Sequence, residues 1–126
     1  MADGEVVLVV DDDLTLRELY SERLKQEGYA VIESDNGDDA IKKAKDQLPS
    51  LIILDIMMPK TNGIDVMNKL RTDESTKKIP IIVLTALVQE VDKIKSIMTP
   101  NDAYLVKSEQ MPKDVIDKVN GILMKK

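Results

Sequence analysis

Three consecutive aspartates, Asp11-Asp12-Asp13, follow directly on the apolar run Val6–Val10, and a fourth, Asp55, closes the run Leu51-Ile52-Ile53-Leu54. Thr85 ends the run from Ile81 to Leu84, and Lys107 follows Tyr104-Leu105-Val106. Carboxylates gathered at the exits of two apolar strands repel one another. Two such charges about 4 Å apart cost roughly 4 kcal/mol at an effective dielectric near 20. A fold that builds this cluster does so because a cation, or a reaction, needs it. Taken singly, each residue also has a plainer reading. Asp55 can cap a turn after a buried strand, Asp13 can cap a helix, Thr85 suits a strand, and Lys107 can be a solvated strand end.

These residues meet only if the chain brings several strand ends together. Short β-branched runs alternate with helix-period segments throughout. The strand candidates are Val6–Val10, Ala30–Glu33, Leu51–Leu54, Ile81–Leu84 and Tyr104–Val106. Between them, Leu16, Leu19, Tyr20 and Leu24 share a helical face that Gly28 is suited to stop. Ala40, Ile41, Ala44 and Leu48 form a second stripe, ended by Pro49, and Ile64, Met67 and Leu70 a third. Val88, Val91, Ile94 and Met98 make a fourth, stopped near Pro100, and Val115, Ile116, Val119, Ile122 and Leu123 the fifth.

Five βα units in series predict an α/β fold: one doubly wound (βα)5 domain whose parallel sheet is covered on both faces. The first, third and fourth strands are nearly continuous apolar runs, as burial on both sides requires. The second is shorter and carries Glu33 and Ser34, which places it at an edge. The strand order 2-1-3-4-5 follows, the flavodoxin-like arrangement, with its ligand site at the switch point between strands one and three. The acidic clusters stand at the carboxyl ends of those two strands.

Composition narrows the chemistry. The 126 residues fit a single domain, 1–126, and the last helical stripe runs almost to Lys126. No apolar run reaches membrane-span length, and the N-terminus lacks a basic region followed by a hydrophobic stretch. The absence of cysteine excludes disulfides and zinc–thiolate sites. A net charge of −5 argues against wrapping a nucleic acid. With no histidine, any imidazole chemistry must come from a partner. Three Tyr, and no Phe or Trp, leave the core to aliphatic side chains and methionine.

The set Asp11, Asp12, Asp55, Thr85 and Lys107 resembles the response-regulator receiver family, single-domain chemotaxis regulators included. The resemblance covers nearly the whole chain. It is carried by Val9-Val10-Asp11-Asp12-Asp13, Leu54-Asp55-Ile56-Met57-Met58-Pro59 with Gly63, Leu84-Thr85-Ala86, and Tyr104-Leu105-Val106-Lys107. Each piece alone is a weak signal; four in the right order on the right strands are specific.

The resemblance implies a two-component or phosphorelay receiver, with Asp55 as the carboxylate nucleophile that forms an acyl phosphate. Asp11 and Asp12 correspond to the metal-binding pair, joined by Asp55 and the backbone carbonyl of Met57. The implied cofactor is Mg2+, with Mn2+ as a substitute, because hard oxygen donors suit both. Lys107 corresponds to the lysine that pairs with the phosphoryl oxygens, and with Asp55 beforehand. Thr85 corresponds to the hydroxyl that hydrogen-bonds the phosphoryl group. Tyr104 matches the switch aromatic that turns inward as the threonine moves; a half-buried edge-strand tyrosine is the equal alternative.

The implied donor is phosphohistidine on a histidine kinase or histidine phosphotransfer protein. The output protein or domain stays unknown, with no direct nucleic-acid or membrane contact. A cytoplasmic monomer is expected, with a phosphorylation-linked dimer as the alternative, and no enzyme activity beyond the domain's own phosphorylation and dephosphorylation. Other readings fare less well. A haloacid-dehalogenase-type phosphatase needs a second Asp two residues after its nucleophile, where Met57 stands. A dinucleotide-binding domain needs a Gly-rich turn where Asp11-Asp12-Asp13 stand. A non-phosphorylated pseudo-receiver would not need all five site residues.

The chain departs from the family pattern in two places. Ser108 follows Lys107 where Pro is common, so the Lys107–Ser108 peptide should be trans. Thr99-Pro100-Asn101-Asp102 replaces a Gly-Ala-rich segment, and the last helix lacks the Arg pattern of DNA-binding receivers that dimerise. In the family, the residues two past the acceptor and two past the threonine flank the path of hydrolytic water. Here they are Met57 and Leu87, both apolar, which implies slow loss of the phosphoryl group.

Overall fold

In the computed structural model, which describes residues 5–58, 61–85, 91–107 and 111–123, the expected alternation becomes a single parallel sheet with helices on both faces. The sheet strands are β1 (Val6–Val10), β2 (Ala30–Ser34), β3 (Leu51–Asp55), β4 (Ile81–Thr85) and β5 (Ala103–Val106). The helices are α1 (Leu14–Gln26), α2 (Gly37–Gln47), α3 (Gly63–Thr72), α4 (Val91–Ile97) and α5 (Pro112–Leu123). The order is β2-β1-β3-β4-β5, all parallel, with β2 at an edge as its polar residues require. A two-residue antiparallel ladder, Met57 with Asn62 and Met58 with Thr61, intervenes between β3 and α3.

Side chains alternate across the sheet, so each central strand feeds two cores. Leu8, Val10, Ile52, Leu54, Ile81 and Val83 pack with Ala40, Ala44, Met67, Leu70 and Ile94 beneath α2, α3 and α4. Val7, Val9, Leu51, Ile53, Ile82 and Leu84 face Tyr20, Leu24, Val115 and Val119 of α1 and α5. Each fully buried Leu or Ile contributes roughly 1.5–3 kcal/mol relative to exposure. The three central strands therefore form the rigid platform, and their carboxyl ends are fixed with respect to one another.

Helix ends are set locally. Asp13, Asn36 and Asn62 cap α1, α2 and α3 by accepting from Leu16 N, Asp39 N and Ile64 N at 3.2, 2.9 and 2.9 Å. Gly28 stops α1 with φ 97°, a left-handed conformation that lets Tyr29 N reach back to Leu24 O at 3.1 Å.

Several sequence expectations need correction. β2, β3 and β4 each run one residue further, to Ser34, Asp55 and Thr85, because those residues still pair with Val10, Leu84 and Val106. β5 starts one residue earlier, at Ala103 opposite Ile82. β2 is as long as β1, so its edge position follows from polarity and not from length. Leu19 is 37% exposed, since α1 docks through Tyr20, Ser21 and Leu24. Leu48 is 55% exposed: it is the left-handed C-cap of α2 at φ 46° and lies beyond the packed stripe. Val88 lies outside the described residues.

Candidate functional site

β1 delivers Asp11 and Asp12 to the carboxyl edge of the sheet. Asp11 N still donates to Ser34 O at 3.1 Å, so the pairing with β2 continues one residue past the strand. The Asp11 carboxylate is buried, and its Oδ1 accepts from Asp13 N at 2.9 Å. Asp13 itself is spent on the α1 cap. Arg17, one turn into α1, reaches back and donates from Nη1 to the Asp11 carbonyl at 2.7 Å and from Nε to Glu33 Oε1 at 2.9 Å.

Asp55 is the last residue of β3 and is only 2% exposed. The turn behind it is held from both sides. Ile56 N donates to Leu84 O at 3.0 Å, and Gly63 N donates to Ile56 O at 3.2 Å. Lys107 comes from the end of β5 and places Nζ 3.0 Å from Asp55 Oδ2 and 3.1 Å from Asp11 Oδ2. Thr85 is buried at the end of β4, in register with Val106 and so beside the residue preceding Lys107. Tyr104 pairs with Val83, two residues back from Thr85, and packs half-buried against the core under α3 and α4.

Asp11, Asp12, Asp55 and Lys107 are thus brought into one cluster, with Thr85 at the same sheet end. Tyr104 sits deeper along β5. Pro59, Ala86, Leu87 and Ser108 lie outside the described residues, and with them the Lys107–Ser108 peptide and the water path past Leu87.

The electrostatics follow from this packing. Burial pulls the Lys107 pKa down, but the hydrogen bond and charge of Asp55, then those of Asp11, outweigh it and hold the ammonium above its ordinary value. Lys107 therefore stays charged and is no nucleophile near neutral pH. Tyr20 lies close enough to feel the same cluster: burial raises its pKa, Lys107 opposes this, and Asp11, Asp55 and Asp13 add to it. Among the described residues, the Lys107 ammonium bonds two of the three carboxylates, Asp11 and Asp55.

The donor set is of the kind a divalent cation takes. One oxygen from each of Asp11, Asp12 and Asp55 lies within 4.8 Å of the others, and all three are hard donors. The three carboxylates would supply part of the all-oxygen shell that Mg2+ takes, with waters filling the rest. The Met57 backbone lies next in the chain, in the short ladder with Asn62.

Tyr20 and Glu33, expected only as a helix-face and an edge-strand residue, and Arg17, expected in no role, thus border the cluster. A signal for Arg17 existed: it is three and four residues from Tyr20 and Ser21 on the buried face of α1, an unusual place for a guanidinium.

A doubly wound sheet with an acidic cluster, a fixed lysine and a hydroxyl at its switch point defines the class of open α/β domains whose ligand site lies at the carboxyl ends of the strands. Within that class the chain belongs to the response regulator receiver domain family, whose model matches residues 7–120. It is 36% identical over 120 residues to the phosphate regulon transcriptional regulatory protein PhoB of Pseudomonas aeruginosa, covering 95% of this chain and 52% of that protein. It is 39% identical over 117 residues to the transcriptional regulatory protein ResD of Bacillus subtilis, covering 93% and 47%. The chain spans about half the length of these curated relatives, which are transcriptional regulators by name. The chemotaxis response regulator CheY4 of Vibrio cholerae superposes with a TM-score of 0.83 at 27% identity, covering 94% of this chain and 98% of that one. No helix among the described residues is long and apolar enough to cross a membrane.

Proposed function

We propose that this receiver domain accepts a phosphoryl group on Asp55 from phosphohistidine of a histidine kinase or histidine phosphotransfer protein. The observation that carries the reading is Lys107 bridging Asp55 and Asp11 within 3.1 Å at a buried cluster that also holds Asp12. An Asp55 oxygen attacks phosphorus, the donor's P–N bond breaks, and its electron pair leaves on the imidazole nitrogen. Asp55 needs no general base, since its carboxylate is held as an ion pair by Lys107. Lys107 moves from sharing two carboxylates to pairing with the incoming phosphoryl oxygens, and Thr85 donates its hydroxyl to one of them. Asp11, Asp12, Asp55 and the Met57 carbonyl would hold Mg2+, or Mn2+ in its place. When bound, the cation neutralises charge on the phosphoryl oxygens and the carboxylates together. The remaining demand of phosphoryl transfer is positioning, which the sheet edge supplies.

Thr85 and Tyr104 lie on adjacent strands, so a shift of Thr85 toward the phosphoryl group is coupled to the Tyr104 side of the α4–β5–α5 face. That face would meet the output protein or domain, as a monomer or as a phosphorylation-linked dimer. The chain itself does not contact nucleic acid, and its only catalysis concerns its own aspartyl phosphate.

Intact mass after incubation with acetyl phosphate and Mg2+ tests the assignment. One phosphoryl adduct is expected on the wild type, none on Asp55→Asn, and a steeply raised Mg2+ requirement for Asp12→Asn. An adduct on Asp55→Asn at wild-type yield overturns the acceptor. Absence of any adduct on the wild type favours a pure interaction module.

A further inference from the structure

We propose that Arg17 is a positioning residue for the cation site: its guanidinium fixes the Asp11–Asp12 peptide and thereby the direction in which Asp12 presents its carboxylate. This rests on reading Asp11, Asp12 and Asp55 as cation ligands. The Arg17 side chain is only 14% exposed, and its two bonds span two strands. Nη1 holds the Asp11 carbonyl at 2.7 Å, while Nε is anchored at 2.9 Å on Glu33 of β2. Glu33 is itself braced, because its carbonyl accepts from Lys43 Nζ at 2.6 Å and Lys43 pairs with Asp39 at 2.9 Å.

The Asp11 carbonyl and the Asp12 N–H belong to one planar peptide unit. Holding the oxygen fixes that plane and the Asp12 Cα, and with the next peptide held through Asp13 N on Asp11 Oδ1 at 2.9 Å the two planes together set where the Asp12 Cβ leaves the chain. The Asp11 carboxylate has other anchors, Asp13 N and Lys107. The Asp12 side chain is exposed and has no hydrogen-bond partner among the described residues, so its direction comes from its backbone. A Lys at position 17 would keep the charge but not the two-pronged planar grip.

The sign of the effect separates positioning from charge. Removing a cation beside an acidic cluster should tighten the binding of another cation by Coulomb's law. Removing a positioning group should loosen it, by about tenfold or more, as for groups that orient metal ligands from behind. The probe is Mn2+, titrated into the wild-type protein, Arg17→Met and Arg17→Lys, with the free ion read by electron paramagnetic resonance. Arg17→Met is expected to bind Mn2+ about tenfold more weakly, and Arg17→Lys to fall between it and the wild type. Phosphoryl acceptance by Arg17→Met should recover at saturating Mg2+, a change in metal requirement and not in maximal rate.

Mn2+ binding to Arg17→Met as tight as, or tighter than, that of the wild type overturns the proposal. If Arg17→Met does not fold, wild-type affinity in Arg17→Lys overturns it equally. A wild type that binds no Mn2+ overturns this inference together with the cation reading. A wild type that binds Mn2+ but forms no Asp55 adduct overturns the phosphoacceptor reading alone.

Discussion

Gly63 is where the tolerance around Asp55 is smallest. A Cβ added there would stand 2.5 Å from Ile56 Cα and 2.9 Å from Ile56 O, backbone atoms that cannot rotate aside. The close approach lets Gly63 N bond Ile56 O and seats the start of α3 against the residue following Asp55. Gly63→Ala should therefore cost about 1–3 kcal/mol, as overpacking does. It should also displace Ile56 and weaken Mn2+ binding, which urea unfolding and a metal titration would check. A variant with wild-type stability would mean that the turn relaxes freely. The sequence marked Gly63 as part of a motif, and marked Asp11, Asp12, Asp55, Thr85 and Lys107 from their strand-end positions together with the resemblance to the receiver family. It could not show Arg17 on the Asp11 carbonyl, because that contact goes to backbone and leaves no pairing pattern among residue types.

Asp102 stands in the segment where the chain departs from the family's Gly-Ala-rich pattern, and its environment gives the departure a physical role. Its side chain is fully buried and takes both oxygens to Arg71 Nη2 at 2.5 Å. It also accepts from Ile81 N at 2.7 Å and Thr99 N at 2.8 Å. Arg71 Nη1 meanwhile holds the carbonyls of Lys77 and Ile79. One ion pair thus ties the end of α3, the start of β4 and the approach to β5, at the sheet edge opposite the acidic cluster. Asp102→Ala should cost about 3–5 kcal/mol, because it strands a buried guanidinium. Its Mn2+ affinity should stay at the wild-type value; a fall would mean that this edge communicates with the site. The partners are 31 residues apart, and no local period announces them. Leu19 is exposed for a related reason: a 3.6-residue stripe is two-sided at its margins, and only the neighbouring elements decide which margin is covered, whereas Leu48 is exposed because α2 ends before it.

Asp73, the C-cap of α3, carries the clearest pH dependence among these elements. The Ser75 hydroxyl, then the Ser75 amide and Lys45, lower its pKa from 3.8 to about 2. A carboxylate depressed in the folded state stabilises the fold above its unfolded pKa, and that contribution is lost as pH falls through the folded value. The wild type should lose stability between about pH 4 and pH 2 that Asp73→Asn does not lose. Denaturant midpoints at pH 5, 3 and 2 would check it. Parallel midpoints for the two proteins over that window would show that Asp73 carries no linkage.

The doubly wound order was readable because two physical signals agreed: apolar runs too continuous for half-exposed strands, and the polar pair Glu33-Ser34 in β2. Those signals also place three carboxylates at one edge of a chain with net charge −5, which sets a cost on the fold as a whole. Sites tuned for function commonly sacrifice stability. Without a divalent cation, Asp12→Asn should be more stable than the wild type, by a few tenths to about 1 kcal/mol, since the exposed Asp12 charge is screened. Adding Mg2+ should reverse the ranking. A cation bound only by the folded state stabilises it by about 2.7 kcal/mol at one hundred times its Kd, a rise in Tm of roughly 10 °C for a domain of this size. NaCl at matched ionic strength should give a smaller gain, because it screens the net charge without occupying the cluster. Thermal unfolding of both proteins with Mg2+, NaCl and neither would decide the matter. If Mg2+ and NaCl raise the wild type equally, the carboxylates are not serving as a cation cradle, and the strand-end cluster must be held for another reason.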